Sequence, residues 1–113
     1  QEINELAEKT RNRAIDLADL KGGSLSITNY GAIDGMWGVP IINPPQSAIL
    51  GTGRIRELPR VVDGEIVPRK VMGLSISFDH RIVDGGEVAE FTKELREYLE
   101  DPEKIPREAT TTD

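Results

Sequence analysis

The chain changes period abruptly about two-thirds of the way along. From Val71 to Asp79 it is mostly apolar and alternates, with Leu74, Ile76 and Phe78 on one side and Ser75, Ser77 and Asp79 on the other. From Glu87 to Glu100 the apolar residues Val88, Phe91, Leu95, Tyr98 and Leu99 recur at helical spacing. Period two followed by period 3.6 predicts a strand that runs directly into a helix. Side chains in such a junction stand at the end of a sheet, where the scaffold can hold them rigidly. The chain's only histidine, His80, lies there, in Asp79-His80-Arg81-Ile82-Val83-Asp84-Gly85.

The other elements follow from similar patterns. Ile3, Leu6, Ala7, Thr10 and Ala14 predict an amphipathic helix from Glu2 to about Leu20, ended by Lys21-Gly22-Gly23. Ser24 to Tyr30 alternates and predicts a short strand whose polar face carries Ser24, Ser26 and Thr28. Gly31 to Pro45 has no clear period and reads as a long loop, of the length that is functional or disordered, and Trp37 with the apolar Val39, Ile41 and Ile42 argues against simple disorder. Gln46 to Ile55 predicts a second strand centred on Ala48-Ile49-Leu50, with Gly51 and Gly53 marking a bulge or a close backbone approach. Arg60 to Val62 and Glu65 to Val67 flank Asp63-Gly64, the chemistry of a tight hairpin turn. Asp101-Pro102 ends the last helix, and the tail from Glu103 to Asp113 reads as frayed. The order helix, strand, loop, strand, hairpin, strand, helix is an α+β pattern, with a central sheet covered by helices on one face.

Composition narrows the function classes. At 113 residues the chain is one small domain or part of a larger one, and Gln1 opens directly into helical periodicity, as in a fragment or a processed chain. With 37% hydrophobic and 30% charged residues it has a globular composition. A net charge of −6 argues against nucleic acid and anionic membranes as partners. No apolar run approaches a membrane span, and no secretory signal opens the chain. With no cysteine there is no disulfide, thiolate metal site or cysteine nucleophile, and one histidine leaves no visible metal site.

His80 is the residue best suited to chemistry, because histidine is the side chain that exchanges protons near neutral pH. Lone histidines at strand ends are also commonly structural. Two local features favour a catalytic role. Gly85 and Gly86 allow tight backbone geometry, and the flanking acidic and basic residues are placed to set the imidazole tautomer. Asp84-x-x-Glu87 has the spacing of a capping box, which makes Asp84 the N-cap of the last helix and is compatible with a role at the site. Arg81 is placed to pair with Asp79 or Asp84. Thr28 alone is an ordinary strand residue whose hydroxyl is able to donate to an oxyanion. No phosphate loop and no serine elbow is present.

Three segments together carry a resemblance. They are Gly22-Gly23-Ser24-Leu25-Ser26-Ile27-Thr28-Asn29-Tyr30-Gly31, then Pro40-Ile41-Ile42-Asn43-Pro44-Pro45-Gln46-Ser47-Ala48-Ile49-Leu50-Gly51, then Ser75-Ile76-Ser77-Phe78-Asp79-His80-Arg81-Ile82-Val83-Asp84-Gly85. In that order they resemble the catalytic domain of the dihydrolipoyl acyltransferase component of 2-oxo acid dehydrogenase complexes. That domain shares its mixed-sheet fold and its histidine element with chloramphenicol acetyltransferase. The resemblance covers nearly the whole chain but only the C-terminal half of the family's domain, so residues 1–113 are expected to be a partial catalytic domain. A lipoyl domain and a peripheral-subunit-binding domain are not expected within them.

The resemblance implies acyl transfer between dihydrolipoamide and coenzyme A, both acting as substrates, with no metal. It implies His80 as general base, the Thr28 hydroxyl as oxyanion donor and Asp84 as a residue that orients the active-site loop. It further implies trimers with each site at a subunit interface, the loop around Trp37 at the trimer contact, and assembly into cores of 24 or 60 subunits. The implied partners are lipoyl domains, the decarboxylase and dihydrolipoamide dehydrogenase. The implied location is the cytoplasm, or alternatively the mitochondrial matrix. The alternatives are a non-catalytic core or scaffold fragment and, more distantly, an O-acetyltransferase of the chloramphenicol type.

Overall fold

The computed structural model describes residues 1–106. In chain order it contains helix α1 (Glu2–Arg11), strands β1 (Leu25–Asn29), β2 (Ala48–Thr52), β3 (Arg56–Val62), β4 (Glu65–Val71) and β5 (Leu74–Phe78), and helix α2 (Gly85–Glu100). Single 3₁₀ turns lie at Leu17–Leu20, Tyr30–Ile33 and Pro102–Lys104.

Strand β2 is the centre of a three-stranded mixed sheet, ordered β1-β2-β5. It pairs parallel to β1 and antiparallel to β5. Its apolar run Ala48-Ile49-Leu50 is buried, and these are the only buried hydrophobic residues among those described. A continuous apolar run is what a strand flanked on both edges and covered on both faces requires. Strands β3 and β4 form a separate two-stranded hairpin. Its turn residues Asp63 and Gly64 both have positive φ, 52° and 81°, which is the geometry a two-residue hairpin turn needs to match strand twist. The α+β class and the mixed sheet are as the sequence predicts, and α2 ends at Asp101 before Pro102.

Three expectations are corrected. The first helix stops at Arg11 instead of continuing to Leu20. The Ala14 N–H donates to the Lys9 carbonyl and the Arg13 N–H to the Thr10 carbonyl, while Arg13 takes φ 55°. This pair of bonds ends a helix in a left-handed residue, here without the usual glycine. The periodicity beyond Arg11 has nothing to pack on. Even within α1, Ile3 is 81% exposed, so propagation gains no burial. The third main strand begins at Leu74, because Val71 closes the hairpin opposite Arg56 and Met72-Gly73 make the link between sheets. In the tail, residues 102–104 form a 3₁₀ turn, and the part of the frayed-tail expectation beyond residue 106 lies outside the described residues.

On β1 the polar side chains Ser26 and Thr28 are half-buried, whereas Ile27 is 68% exposed. The polar face is covered from within the chain, since the Ser26 hydroxyl donates to Gln46 Oε1. The radius of gyration is 16.6 Å, against about 13 Å for a compact domain of roughly this length. The apolar face of the sheet at β1 therefore lies open.

The long loop is ordered by close packing against β2. Asn29 ends β1 by accepting the Gly31 N–H on its side chain at 3.0 Å. Tyr30 then crosses the sheet, and its hydroxyl donates to Ser75 Oγ at 2.9 Å. Its ring lies so close to Gly51 that a Cβ there would stand 2.5 Å from Cε1. A Cβ at Gly53 would stand 2.3 Å from the Met36 carbonyl oxygen. The close approach expected at both glycines is thus the returning loop itself. Two tests follow. Gly51→Ala is expected to lower unfolding free energy by about 1–3 kcal/mol, from overpacking. In a Tyr30→Leu background the same change is expected to cost measurably less, and equal costs in a urea-denaturation double-mutant cycle would contradict the contact.

Candidate active site

His80 follows β5 by two residues and opens the turn that leads into α2. The turn is held by the Asp79 carbonyl, which accepts the Ile82 and Val83 N–H groups, each at 3.0 Å. Asp79 is itself tied to the sheet, since its N–H donates to the Ser47 carbonyl at 2.7 Å. Its carboxylate accepts Arg81 Nε and Nη2, each at 2.9 Å, and the Arg81 backbone N–H at 3.0 Å. Arg81 chooses Asp79 over Asp84. The two residues that flank His80 therefore bind each other across it and do not set its tautomer. The imidazole lies beside the Phe78 ring, with centroids 5.6 Å apart and planes 37° apart, and is otherwise exposed to solvent. Among the described residues it has no hydrogen-bond partner, so both ring nitrogens are open to an incoming group.

Asp84 is the N-cap of α2. Its Oδ1 accepts the Glu87 N–H at 2.9 Å, and the Glu87 carboxylate reaches back to the Asp84 N–H at 3.4 Å. This is the reciprocal box expected from the spacing. It fixes where the helix starts and hence the length of the turn that presents His80.

Thr28 stands elsewhere. In the register of the sheet it is opposite Gly51, which is opposite Ser75. Phe78 is opposite Ala48, at the other end of β2, and His80 lies two residues further on. Five residues of extended chain separate the row of Thr28 from His80, about 16 Å along the strands, and two strand spacings add about 9.5 Å across them. The structure brings His80 and Asp84 into one turn but does not bring Thr28 to them within one chain. The Thr28 carbonyl accepts a weak bond from the Thr52 hydroxyl at 3.5 Å. Its own hydroxyl donates to nothing among the described residues.

Sequence reasoning missed Tyr30, the residue that locks the loop beside Thr28. A hint was present in Gly35, Gly38 and Gly51, whose missing Cβ atoms all leave room for its atoms, but only folding shows that they surround one aromatic ring.

Two outcomes are expected. Asp84→Ala is expected to destabilise the protein by about 1 kcal/mol while Asp84→Asn costs much less, as read by denaturation, because either oxygen-bearing side chain caps α2. The hydrogen bonds from the Arg81 side chain, and then from its backbone N–H, hold the Asp79 carboxyl below its ordinary value of 3.8. A carboxyl held low contributes stability above its unfolded pKa and loses it as pH falls through the folded one. Stability is thus expected to fall with acid below about pH 4, and Asp79→Asn is expected to flatten that part of the profile. An unchanged acid limb in the variant would contradict the clamp.

The chain is similar to known proteins over nearly its whole length. A family model described as 2-oxoacid dehydrogenases acyltransferase (catalytic domain) matches residues 1–106. The chain is 47% identical over 108 residues to the Bacillus subtilis dihydrolipoyllysine-residue acetyltransferase component of the pyruvate dehydrogenase complex, covering 96% of this chain and 24% of that protein. It is 45% identical over 105 residues to the Haemophilus influenzae succinyltransferase component of the 2-oxoglutarate dehydrogenase complex, covering 93% of this chain and 26% of that one. A solved structure of Azotobacter vinelandii dihydrolipoamide acetyltransferase superposes with a TM-score of 0.81 at 40% identity, covering 88% of this chain and 41% of that one. That work concerns the catalytic role of a serine, a histidine 52 positions after it and an asparagine 4 positions further on. The chain spans about a quarter of the length of these curated relatives. On the match over residues 1–106, this chain belongs to the family of 2-oxoacid dehydrogenase acyltransferases, within its catalytic domain.

Proposed function

We propose that the chain is part of an acyltransferase that moves an acyl group between dihydrolipoamide and coenzyme A, with each active site shared between two copies. The observation that carries this is positional. Thr28 lies 52 positions before His80 and Asp84 lies 4 after it, the offsets of the serine, histidine and asparagine studied in the Azotobacter relative. Serine is replaced by threonine, which keeps the O–H donor, and asparagine by aspartate, which keeps an oxygen for the helix cap.

The exposed imidazole of His80 takes the proton from a thiol, and the thiolate attacks the thioester carbonyl. Negative charge then develops on the carbonyl oxygen, where the unengaged Thr28 hydroxyl donates a hydrogen bond. Collapse of the tetrahedral intermediate expels the second thiolate, which recovers the proton from His80. The Asp79–Arg81 clamp and the Asp84 cap hold the turn, so they position His80 and do not touch substrate. Thr28 and His80 leave β2's neighbours from opposite ends of the sheet, so the Thr28 hydroxyl reaches a His80 only in another copy. A trimeric unit closes such a ring of shared sites. We further infer that residues 1–106 form one part of a larger catalytic domain, inside a multienzyme complex whose partners are lipoyl domains, a 2-oxo acid decarboxylase and dihydrolipoamide dehydrogenase.

In the complete protein, His80→Ala is expected to abolish acyl transfer. Thr28→Ala is expected to lower turnover by about 10²–10³ and Thr28→Ser to keep most of it. Copies bearing His80→Ala, co-assembled with copies bearing Thr28→Ala, are expected to regain a fraction of wild-type turnover, because some interfaces then hold both intact groups. Turnover near wild type in His80→Ala would reject the base. Failure of the mixed assembly to regain activity would reject the shared site.

A further inference from the structure

The β3–β4 hairpin carries a charge pattern that acyl transfer does not use. Alternation places Arg56, Leu58 and Arg60 on one face of β3, and the register puts Arg69 opposite Leu58 on that same face. Arg54 lines the same recess as Arg56 and Arg60, against Met36 and Trp37 of the loop. Arg54 is engaged by Asp34. Arg56, Arg60 and Arg69 have no carboxylate within 4.0 Å among the described residues. Glu57 is opposite Lys70 on the reverse face, and Glu65 stands at the turn end of the arginine face, opposite Val62. Arg69 is diagonal to both Arg56 and Arg60, an arrangement of like charges that is unfavourable until an anion meets it. This occurs in a chain with 20 acidic and 14 basic residues.

A counterpart of opposite charge lies on α2. Glu87, Glu90, Glu94 and Glu97, then Asp101 at its C-cap, recur at three and four residues and form one stripe. The stripe is about 21 Å long, and the arginines of β3 run from Arg56 to Arg60 over about 13 Å, so the basic row faces a little over half of the acidic one. Each stripe has an aromatic border. Phe91, 45% exposed, flanks the acidic one, and Trp37, 68% exposed, flanks the basic one. Lys93 and Arg96 fall to the other side of the acidic stripe. No ion pair joins α2 to the hairpin within the chain among the described residues.

We infer that α2 of one copy docks its acidic stripe on the arginine face of the β3–β4 hairpin of a second copy. The connectivity gives this contact a consequence. Helix α2 begins directly after the His80 turn, and the hairpin leaves β2 at the end where Thr28 lies. Docking one on the other draws the histidine of one copy toward the hydroxyl of the next. The inference deepens the shared-site proposal and rests on it for its meaning, though not for its geometry.

This chain has no cysteine, so introduced ones give a direct test in the complete protein, with any cysteine outside this chain replaced by serine. Copies carrying Arg60→Cys are mixed with copies carrying Glu94→Cys and treated with a short bismaleimide. A cross-linked pair is expected, at least about tenfold above the yield from Arg60→Cys mixed with Arg96→Cys, which lies on the other flank of α2. Equal yields, or no product in an assembled sample, would overturn the contact. Charge reversal gives a second measurement. Arg56→Glu with Arg60→Glu, and separately Glu90→Arg with Glu97→Arg, are each expected to weaken self-association about tenfold or more in sedimentation, and their mixture to recover part of it, because a ring of three then holds two matched contacts and one mismatched one. Unchanged association in the reversed variants, or no restoration on mixing, would count against it. So would protection of Arg56 and Arg60 from a guanidine reagent by inorganic phosphate or coenzyme A but not by self-association. A cross-link without recovery of activity in the His80 and Thr28 mixture would remove the shared site and leave the contact. The converse result would remove the contact alone.

Discussion

Everything distinctive in this chain follows from the pairing of β2. It runs parallel to β1 and antiparallel to β5. A strand parallel to β2 ends where β2 ends, and a strand antiparallel to it ends where β2 begins. Thr28 is near the end of β1 and His80 is just past the end of β5. The mixed topology therefore places the two groups at opposite ends of one sheet, and no side-chain rotamer bridges a gap of five strand residues and two strand spacings. The buried run Ala48-Ile49-Leu50 makes that topology hard to alter. A one-residue slip would take Gly51 from under the Tyr30 ring, where a Cβ would stand 2.5 Å from Cε1.

Much of this was legible in the sequence, for identifiable reasons. The junction of β5 and α2 was visible because two periodicities meet there. The Asp84–Glu87 box was visible because its chemistry is local and needs only a spacing of three. The Asp63-Gly64 turn was visible because few residues accept positive φ twice in succession. The length of α1 was not legible. Its pattern continues past Arg11, and the stop depends on Arg13 taking a left-handed conformation that its residue type does not favour. The start of β5 was missed because Val71 and Leu74 are both β-formers, and only pairing assigns them to different sheets. At the site, the residue types were legible but their arrangement was not. The Asp79–Arg81 pair was one of two pairings open to Arg81, and its formation leaves neither residue to set the His80 tautomer. Tyr30 has no local signature, because its glycine neighbours are up to 21 positions away.

The electrostatic layout divides in the same way. The Asp79–Arg81 pair spans two residues and stiffens the turn, although Arg81 is 89% exposed and Asp79 18% exposed. Pairs this open to water contribute little to global stability. Their effect is geometric, since three bonds from one arginine fix the carboxylate whose own backbone carbonyl holds the turn. The arginines of the hairpin face and the carboxylates of α2 form rows that do not pair with each other within the chain; Asp101 is engaged by Lys104, Glu94 by the Tyr98 hydroxyl and Glu87 by the helix cap. Rows of this kind set the direction and rate of encounter between surfaces more than the stability of either one.

The opposed ends of the sheet have a consequence for assembly. Under the proposed shared site, the Thr28 hydroxyl of a solitary copy stands at the far end of the sheet from its own His80. The donor that this chain supplies then reaches an imidazole only after copies meet, so topology ties that part of the chemistry to assembly.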